Sequence, residues 1–316
     1  KQSQHSSKMD KELEIAFNSI PLFSDQSLDA VSVERLGGLT NRNFLIETSE
    51  GKYVLRLAGE GTDEYIDRIR EKKNAEVAVK AGVNAEILFF DEASGMMVTR
   101  FIDNAVTMDI DKFKDAGALE RAGQAFRKLH QSPDLFEGEF ELFNQIDQYL
   151  EVLKNLGASL PDGYSEVQKS AEQVRAALSR HTLPKAACHC DPMVENCIDD
   201  GQKIFIIDFE YAGNNDPMWD LGDLSVEGNF STEQEHIFLR AYFGHEPSAF
   251  DFGRMMMYKA MCDLLWTLWG VVQHANNNPV DDFWAYAVGR LSRCQTLMAD
   301  PSFFEHLAAV TDGPQR

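Results

Sequence analysis

The apolar positions change period several times along the first hundred residues. Helical spacing from about Lys11 to Ser19 gives way, over Val31 to Leu57, to alternation broken by a glycine-containing turn, which predicts a β-hairpin with a glycine-bearing loop. One cation, Arg56, sits inside the apolar run Val54-Leu55-Arg56-Leu57. Ile66, Ile69, Val77 and Ala81 recur at helical intervals across Glu64 to Ala81, and Gly82 supplies a stop. Ile87 to Phe90 and Met96 to Phe101, separated by Asp91-Glu92-Ala93-Ser94-Gly95, predict a second hairpin. Beyond Asp103 the pattern is mostly helical, interrupted by short strands around Cys197-Ile198 and Ile204 to Ile207 that turn at Asp199-Asp200-Gly201. The chain contains no internal repeat or low-complexity tract. The reading is an α+β chain, with a small antiparallel sheet and one main helix in residues 1–103 and a larger, mostly helical lobe in residues 104–316.

Length and composition agree with that division. At 316 residues the chain exceeds the size at which a single core usually stops growing, and 44% hydrophobic residues suffice for sizeable cores. Asp and Glu outnumber Lys and Arg by 51 to 30, a net charge of -21 that repels a polyanionic backbone and argues against nucleic acid as a partner. The same excess concentrates small cations near the surface. Five cysteines with no CxxC pair imply neither a disulfide framework nor a zinc knuckle, and fit a reducing cytoplasm. No apolar run is long enough to insert into a membrane, and no signal-peptide core is present. Residues 1–8 are polar and patternless and Met9 is a natural start, so they are set aside as a segment appended to the native chain.

The chemistry is carried by two short segments. In His189-Cys190-Asp191-Pro192-Met193-Val194-Glu195-Asn196, Asp191 and Asn196 stand five residues apart on one loop, and Pro192 keeps a helix from running through it. Asp208 follows the strand Ile204-Phe205-Ile206-Ile207. Phosphoryl transfer from a nucleotide needs donors around the phosphates, a cation on them, a divalent metal and a carboxylate that orients the attacking hydroxyl. Asp191 matches the carboxylate that orients the hydroxyl, and Asn196 and Asp208 offer the hard oxygens Mg²⁺ prefers. Singly, Asp208 reads better as a turn residue; together with His189, Asp191 and Asn196 the spacing is specific. His189 reads as a structural hydrogen-bonding residue, because the adjacent aspartate already serves as base.

The remaining parts occur upstream. Gly37-Gly38-Leu39-Thr40-Asn41-Arg42-Asn43 lies between strands, where glycine permits close backbone approach and Thr40, Asn41 and Asn43 add donors. Arg56 needs solvent or an anion, and a phosphate is the anion expected. Glu71 on the following helix is its expected ion-pair partner, although a solvated surface charge fits that position equally well.

These segments resemble the choline/ethanolamine kinase family, a branch of the protein-kinase-like superfamily that also holds aminoglycoside phosphotransferases. The resemblance runs nearly the full chain and implies a bilobal kinase fold that uses ATP and Mg²⁺. Gly38, Thr40, Asn41, Asn43, Arg56 and Glu71 match its nucleotide-binding positions, and Ile207-Asp208-Phe209-Glu210-Tyr211 matches a motif that adds Glu210 to the metal set of Asn196 and Asp208. Trp219-Asp220-Leu221-Gly222-Asp223-Leu224-Ser225-Val226-Glu227 is similar to the choline branch. There, residues matching Tyr211, Glu227, Trp266, Trp269 and Tyr286 surround the amino-alcohol head group. Phe283 and Thr232 depart from family tyrosines, which leaves choline against ethanolamine open.

The residues themselves point the same way. Asp263, Trp266, Trp269 and Gln273 recur at three and four residues, so they share one helical face along which two indoles are expected to stack. A quaternary ammonium donates no hydrogen bond and is held by aromatic faces and a carboxylate field. An ordinary core helix carries the same stripe. Three readings follow: a choline kinase, a kinase of the same fold acting on ethanolamine, thiamine, an aminoglycoside or another hydroxyl, and a non-catalytic choline-binding pseudokinase.

Overall fold

A computed structural model describes residues 2–36, 41–59 and 66–315, with side chains from residue 8 onward. Helix α1 (Gln2–Ser19) extends well upstream of the predicted start at Lys11. Strands β1 (Ser32–Leu36), β2 (Arg42–Thr48) and β3 (Gly51–Leu57) follow, one more than the single hairpin expected. After helix α2 (Arg68–Lys80), strands β4 (Ile87–Phe90) and β5 (Met97–Arg100) form the second hairpin and complete an antiparallel sheet ordered β1-β2-β3-β5-β4.

Alternation explains how this sheet buries one face. Tyr53, Leu55 and Leu57 of β3 point to a core shared with Phe44, Ile46 and Val98 and capped by Leu13, Ala16 and Phe17 of α1. Arg56, on the opposite face, is buried as well. That break in the polar-out pattern exists because α2 covers the second face with a polar stripe.

The buried residues of α2 are Arg68, Glu71, Asn74, Ala75 and Ala78, and Ile69, assigned to the inner face from its apolarity, is 51% exposed. The register was misread because the inward side of this helix is charged. Asp67 caps it by accepting from the Arg70 amide at 3.0 Å. Gly82, with φ of +83°, ends it in the left-handed conformation that glycine adopts without strain.

The second region begins with β6 (Val106–Thr107) and the helices α3 (Ala116–His130), α4 (Leu142–Asn155) and α5 (Tyr164–Arg180). Four short strands then appear: β7 (Ala186–Cys188), β8 (Cys197–Asp199), β9 (Ile204–Ile206) and β10 (Gly213–Asn215). They pair antiparallel as β6-β8-β9 and β10-β7. Helices α6 (Pro217–Glu227), α7 (Thr232–Phe243), α8 (Ala249–Ala275), α9 (Phe283–Ala299) and α10 (Ser302–Asp312) complete the chain.

The large core centres on α8, whose Met255, Ala260, Met261, Leu264 and Leu268 are fully buried or nearly so. Helix α6 lies close against it at Gly222, where an added Cβ would meet the Met255 carbonyl at 2.9 Å. Among the bonds that tie the regions together, the Asn74 amide donates to the Glu137 and Ala212 carbonyls, and the Ile206 amide donates to the Val83 carbonyl at 2.8 Å. Among the described residues no helix is long and apolar enough to cross a membrane.

Candidate active site

The segment from His189 to Asn196 links β7 to β8, and its conformation is fixed from beneath. The fully buried Asp220 carboxylate accepts the backbone amides of His189 and Cys190, each at 2.9 Å. His130 bonds the same carboxylate at 2.8 Å, and the Trp219 indole donates to the Cys190 carbonyl. His189 donates from Nε2 to the Ile207 carbonyl at 2.8 Å and accepts the Asp191 amide at Nδ1, while burial lowers its pKa. It is therefore a neutral strut between the loop and the strand end. Cys190, with φ of +71°, and Asp208, with φ of +67°, both hold left-handed backbone that costs a non-glycine residue about 1 kcal/mol or more. These anchors offset that strain and present Asp191 and Asp208 toward each other.

Asp191 faces other acids. Burial first, then the charges of Asp208 and Glu227, holds its carboxyl well above the usual carboxylate range. Burial and the neighbouring Glu210 push Asp208 up to about 7. Asn196 donates to the Asp191 carbonyl at 3.2 Å, and its own carbonyl accepts the Ile207 amide, so loop and strand end are laced together. Glu71, Asp208 and Glu210 each place an oxygen within 4.8 Å of the others. Asp208 Oδ1 and Glu210 Oε2 are buried with no hydrogen-bond partner among the described residues. Orphaned hard oxygens on converging carboxylates fit a divalent cation such as Mg²⁺.

Glu71 is already committed elsewhere. Arg56 binds its carboxylate through both terminal nitrogens, one at 2.9 Å, and also donates to the Gly95 carbonyl. Arg68 bridges Glu71 and Glu210, at 2.8 Å to each. Asn41 donates to the same Glu210 oxygen at 2.6 Å and accepts the Gly59 amide. Asn43 stands opposite Arg56 in the β2–β3 register. Gly38 and Thr40 lie outside the described residues.

Glu227 lies close enough for its charge to act on both Asp191 and Tyr286. The indoles of Trp266 and Trp269 meet edge to face, with centroids 5.4 Å apart and planes at 81°, so the expected stacking of the two is not what forms. Offset stacking would need parallel rings, whereas these two neighbours on one helical face meet with the edge of one ring against the face of the other, an arrangement aromatic pairs also favour. Trp269 makes a further edge contact to Tyr286 at 5.7 Å. Tyr211 is 39% exposed on the turn before β10. Asp263, expected on the indole face, is fully buried beneath Arg290 and Arg293, which bond it at 2.8 to 3.0 Å.

Four contributors were missed by sequence reasoning. Arg68 sits three residues before Glu71, a spacing that places both on one face, but apolar periodicity drew attention to Ile69 instead. Asp220 and Asp223 recur with Glu227 at helical intervals inside an apolar helix, a legible signal of an acidic inner face. Arg290 donates to Glu227 at 2.6 Å across 63 residues of chain, and no local pattern announces such a pair. A surface cleft of about 730 Å³ bounded by Leu156, Val271, His274 and Trp284 contains none of these groups.

The comparisons with known proteins agree with this architecture. The profile of the phosphotransferase enzyme family matches residues 32–250. A choline/ethanolamine kinase family protein from Mesorhizobium loti is 51% identical, with a TM-score of 0.89 over 96% of this chain and all of that one. The choline kinase LicA from Streptococcus pneumoniae is 28% identical, with a TM-score of 0.75 over 92% of this chain and 99% of that one. A LicA structure in complex with AMP is 29% identical, with a TM-score of 0.71 over 96% of this chain and 99% of that one. The chain belongs to the phosphotransferase enzyme family, in its choline/ethanolamine kinase branch, and is a small-molecule kinase on a protein-kinase-like fold.

Proposed function

We propose that this kinase transfers the γ-phosphoryl group of ATP to the hydroxyl of a small cationic amino alcohol, choline in the first reading, with Mg²⁺ as cofactor. The observation that carries the proposal is the position of Asp191 between two unlike neighbours. Asp191 feels the charges of both Asp208, with its orphaned oxygen, and Glu227, whose charge also reaches Tyr286 and so the Tyr286–Trp269 ring pair. In this reading residues 1–103 cradle the nucleotide and 104–316 bind the acceptor.

Asp191 accepts the hydroxyl proton and orients the oxygen for in-line attack, and its raised proton affinity suits that role. Asn196, Asp208 and Glu210 hold Mg²⁺, which when bound neutralises charge on the phosphoryl oxygens. Arg56, positioned by Glu71, contributes positive charge on the phosphate side, with Gly38, Thr40, Asn41 and Asn43 as the nucleotide-loop groups. Tyr211, Glu227, Trp266, Trp269 and Tyr286 surround the ammonium. Support for the nucleotide comes from the AMP held by the LicA relative, and support for the acceptor from the choline kinase activity in the name of another. The setting is cytoplasmic, in keeping with five free, buried cysteines.

Ethanolamine is the second reading, favoured by one observation: Arg290 already bonds Glu227 and lies 6.0 Å over the Tyr286 ring, where a quaternary head group was expected. A coupled ADP-release assay on the purified protein with MgATP decides the class. Choline or ethanolamine is expected to stimulate turnover, and thiamine and aminoglycosides are not. Stimulation by neither amino alcohol contradicts the proposal.

A further inference from the structure

Asp223 is a buried carboxyl group without a hydrogen-bond donor among the described residues. Its residue is fully buried, and neither of its oxygens has a hydrogen-bond partner among the described residues. It stands one helical turn before Glu227 on α6, and its carboxylate lies within 4.8 Å of both the Glu227 carboxylate and the Cys262 thiol. Asp191 lies close enough for its charge to be felt. Burying an unpaired carboxylate is among the costliest arrangements in a protein, and such groups are normally neutralised by a partner or a ligand.

The obvious partner is taken. Arg290 bonds Glu227 at 2.6 Å and Asp263 at 2.9 Å, and Arg293 adds two nitrogens to Asp263. Both cations contact acids other than Asp223, which feels the Arg290 charge but receives no hydrogen bond from it. Glu227 is the acid whose charge the chain itself answers, and Asp223 is the acid it leaves open. Burial and the Glu227 charge hold the Asp223 carboxyl well above its usual range, as an empty cation site between acids would.

We propose that Asp223 is the residue that receives the substrate's ammonium group, and that it selects amino alcohols carrying at least one N–H. This rests on the amino-alcohol kinase reading and, within it, favours ethanolamine over choline. A carboxylate oxygen without a donor gains a charge-assisted hydrogen bond from a primary, secondary or tertiary ammonium. A quaternary ammonium has no N–H to give and leaves the buried oxygens unpaired. The aromatic contacts of Trp269 and Tyr286 serve all of these cations equally, so they do not discriminate among them.

Successive N-methylation of ethanolamine isolates the effect, because only the last methyl removes the last N–H. Steady-state kinetics of the full chain with MgATP are compared for ethanolamine, N-methylethanolamine, N,N-dimethylethanolamine and choline. In the wild type, KM is expected to rise roughly tenfold or more at the final methylation, with smaller changes before it and a lesser effect on kcat. In Asp223→Asn that final step shrinks to about threefold or less, since an amide gives the N–H a weaker partner. Asp223→Ser supplies the same readout should the amide variant not fold. Equal KM for choline and N,N-dimethylethanolamine in the wild type overturns the proposal. So does a final-methyl penalty that persists undiminished in the variants, which assigns it to steric exclusion by the aromatic wall. Phosphorylation of none of the four acceptors defeats the underlying amino-alcohol reading instead.

Discussion

Two buried clusters of charge flank Asp191, and they are built on opposite principles. On the nucleotide side, Arg56 and Arg68 meet Glu71 and Glu210, two cations against two acids, with nearly every contact a direct bond. In the second, Asp191, Asp223, Glu227 and Asp263 face Arg290 and Arg293 among the described residues. The first cluster is matched cation for acid, apart from the open Glu210 Oε2, and ties β3 to α2. The second holds more acids than cations among the described residues, and under the proposed function the substrate's ammonium is the cation that would complete it. A kinase of a small cationic alcohol needs this asymmetry, because the fixed frame must exist before substrate arrives and the vacancy must persist until it does.

The largest expected effect removes the group between the clusters. Asp191→Ala is predicted to lower kcat by about 10²–10⁴-fold in the ADP-release assay while nucleotide still binds, as read by fluorescence titration. Near-normal turnover removes Asp191 from the base role. Next comes the packing that sets the depth of the acidic face. Gly222→Ala forces α6 away from the α8 backbone and is predicted to cost about 1–3 kcal/mol in urea unfolding, with a parallel rise in KM for the amino alcohol. A smaller effect is expected from the aromatic wall. Trp269→Ala is predicted to raise KM for the acceptor about tenfold with kcat less changed, on the order of 1–2 kcal/mol of lost cation–π attraction. An unchanged KM identifies Trp269 as packing only.

How much of this was legible follows from the reach of each interaction along the chain. His189, Asp191, Asn196 and Asp208 lie within twenty residues of one another, so their spacing carries their joint geometry and the sequence was sufficient to single them out. The hairpins and the α8 stripe were legible for the same reason, since period and turn chemistry are local. The polar inner face of α2 was not, because apolar periodicity presumes an apolar core and Arg68 and Glu71 are buried against Arg56 and Glu210 instead. Nor was the third strand of the first meander, hidden where the two-residue turn at Ser49-Glu50 leaves no gap in the alternation. The state of Glu227 was the least accessible of all. Its partner Arg290 comes from another helix, and only the fold reveals that the expected acceptor carboxylate is occupied while Asp223 is open.

The asymmetry between the clusters is tested most directly by removing one charge from each and measuring unfolding in urea without ligands. Arg56→Ala leaves Arg68 as the single cation between the buried Glu71 and Glu210 and is predicted to destabilise the protein by about 3–5 kcal/mol. Asp223→Asn relieves an unpaired buried charge and is predicted to stabilise it by about 1–3 kcal/mol. Opposite signs are what the account requires, and destabilisation by both variants contradicts it.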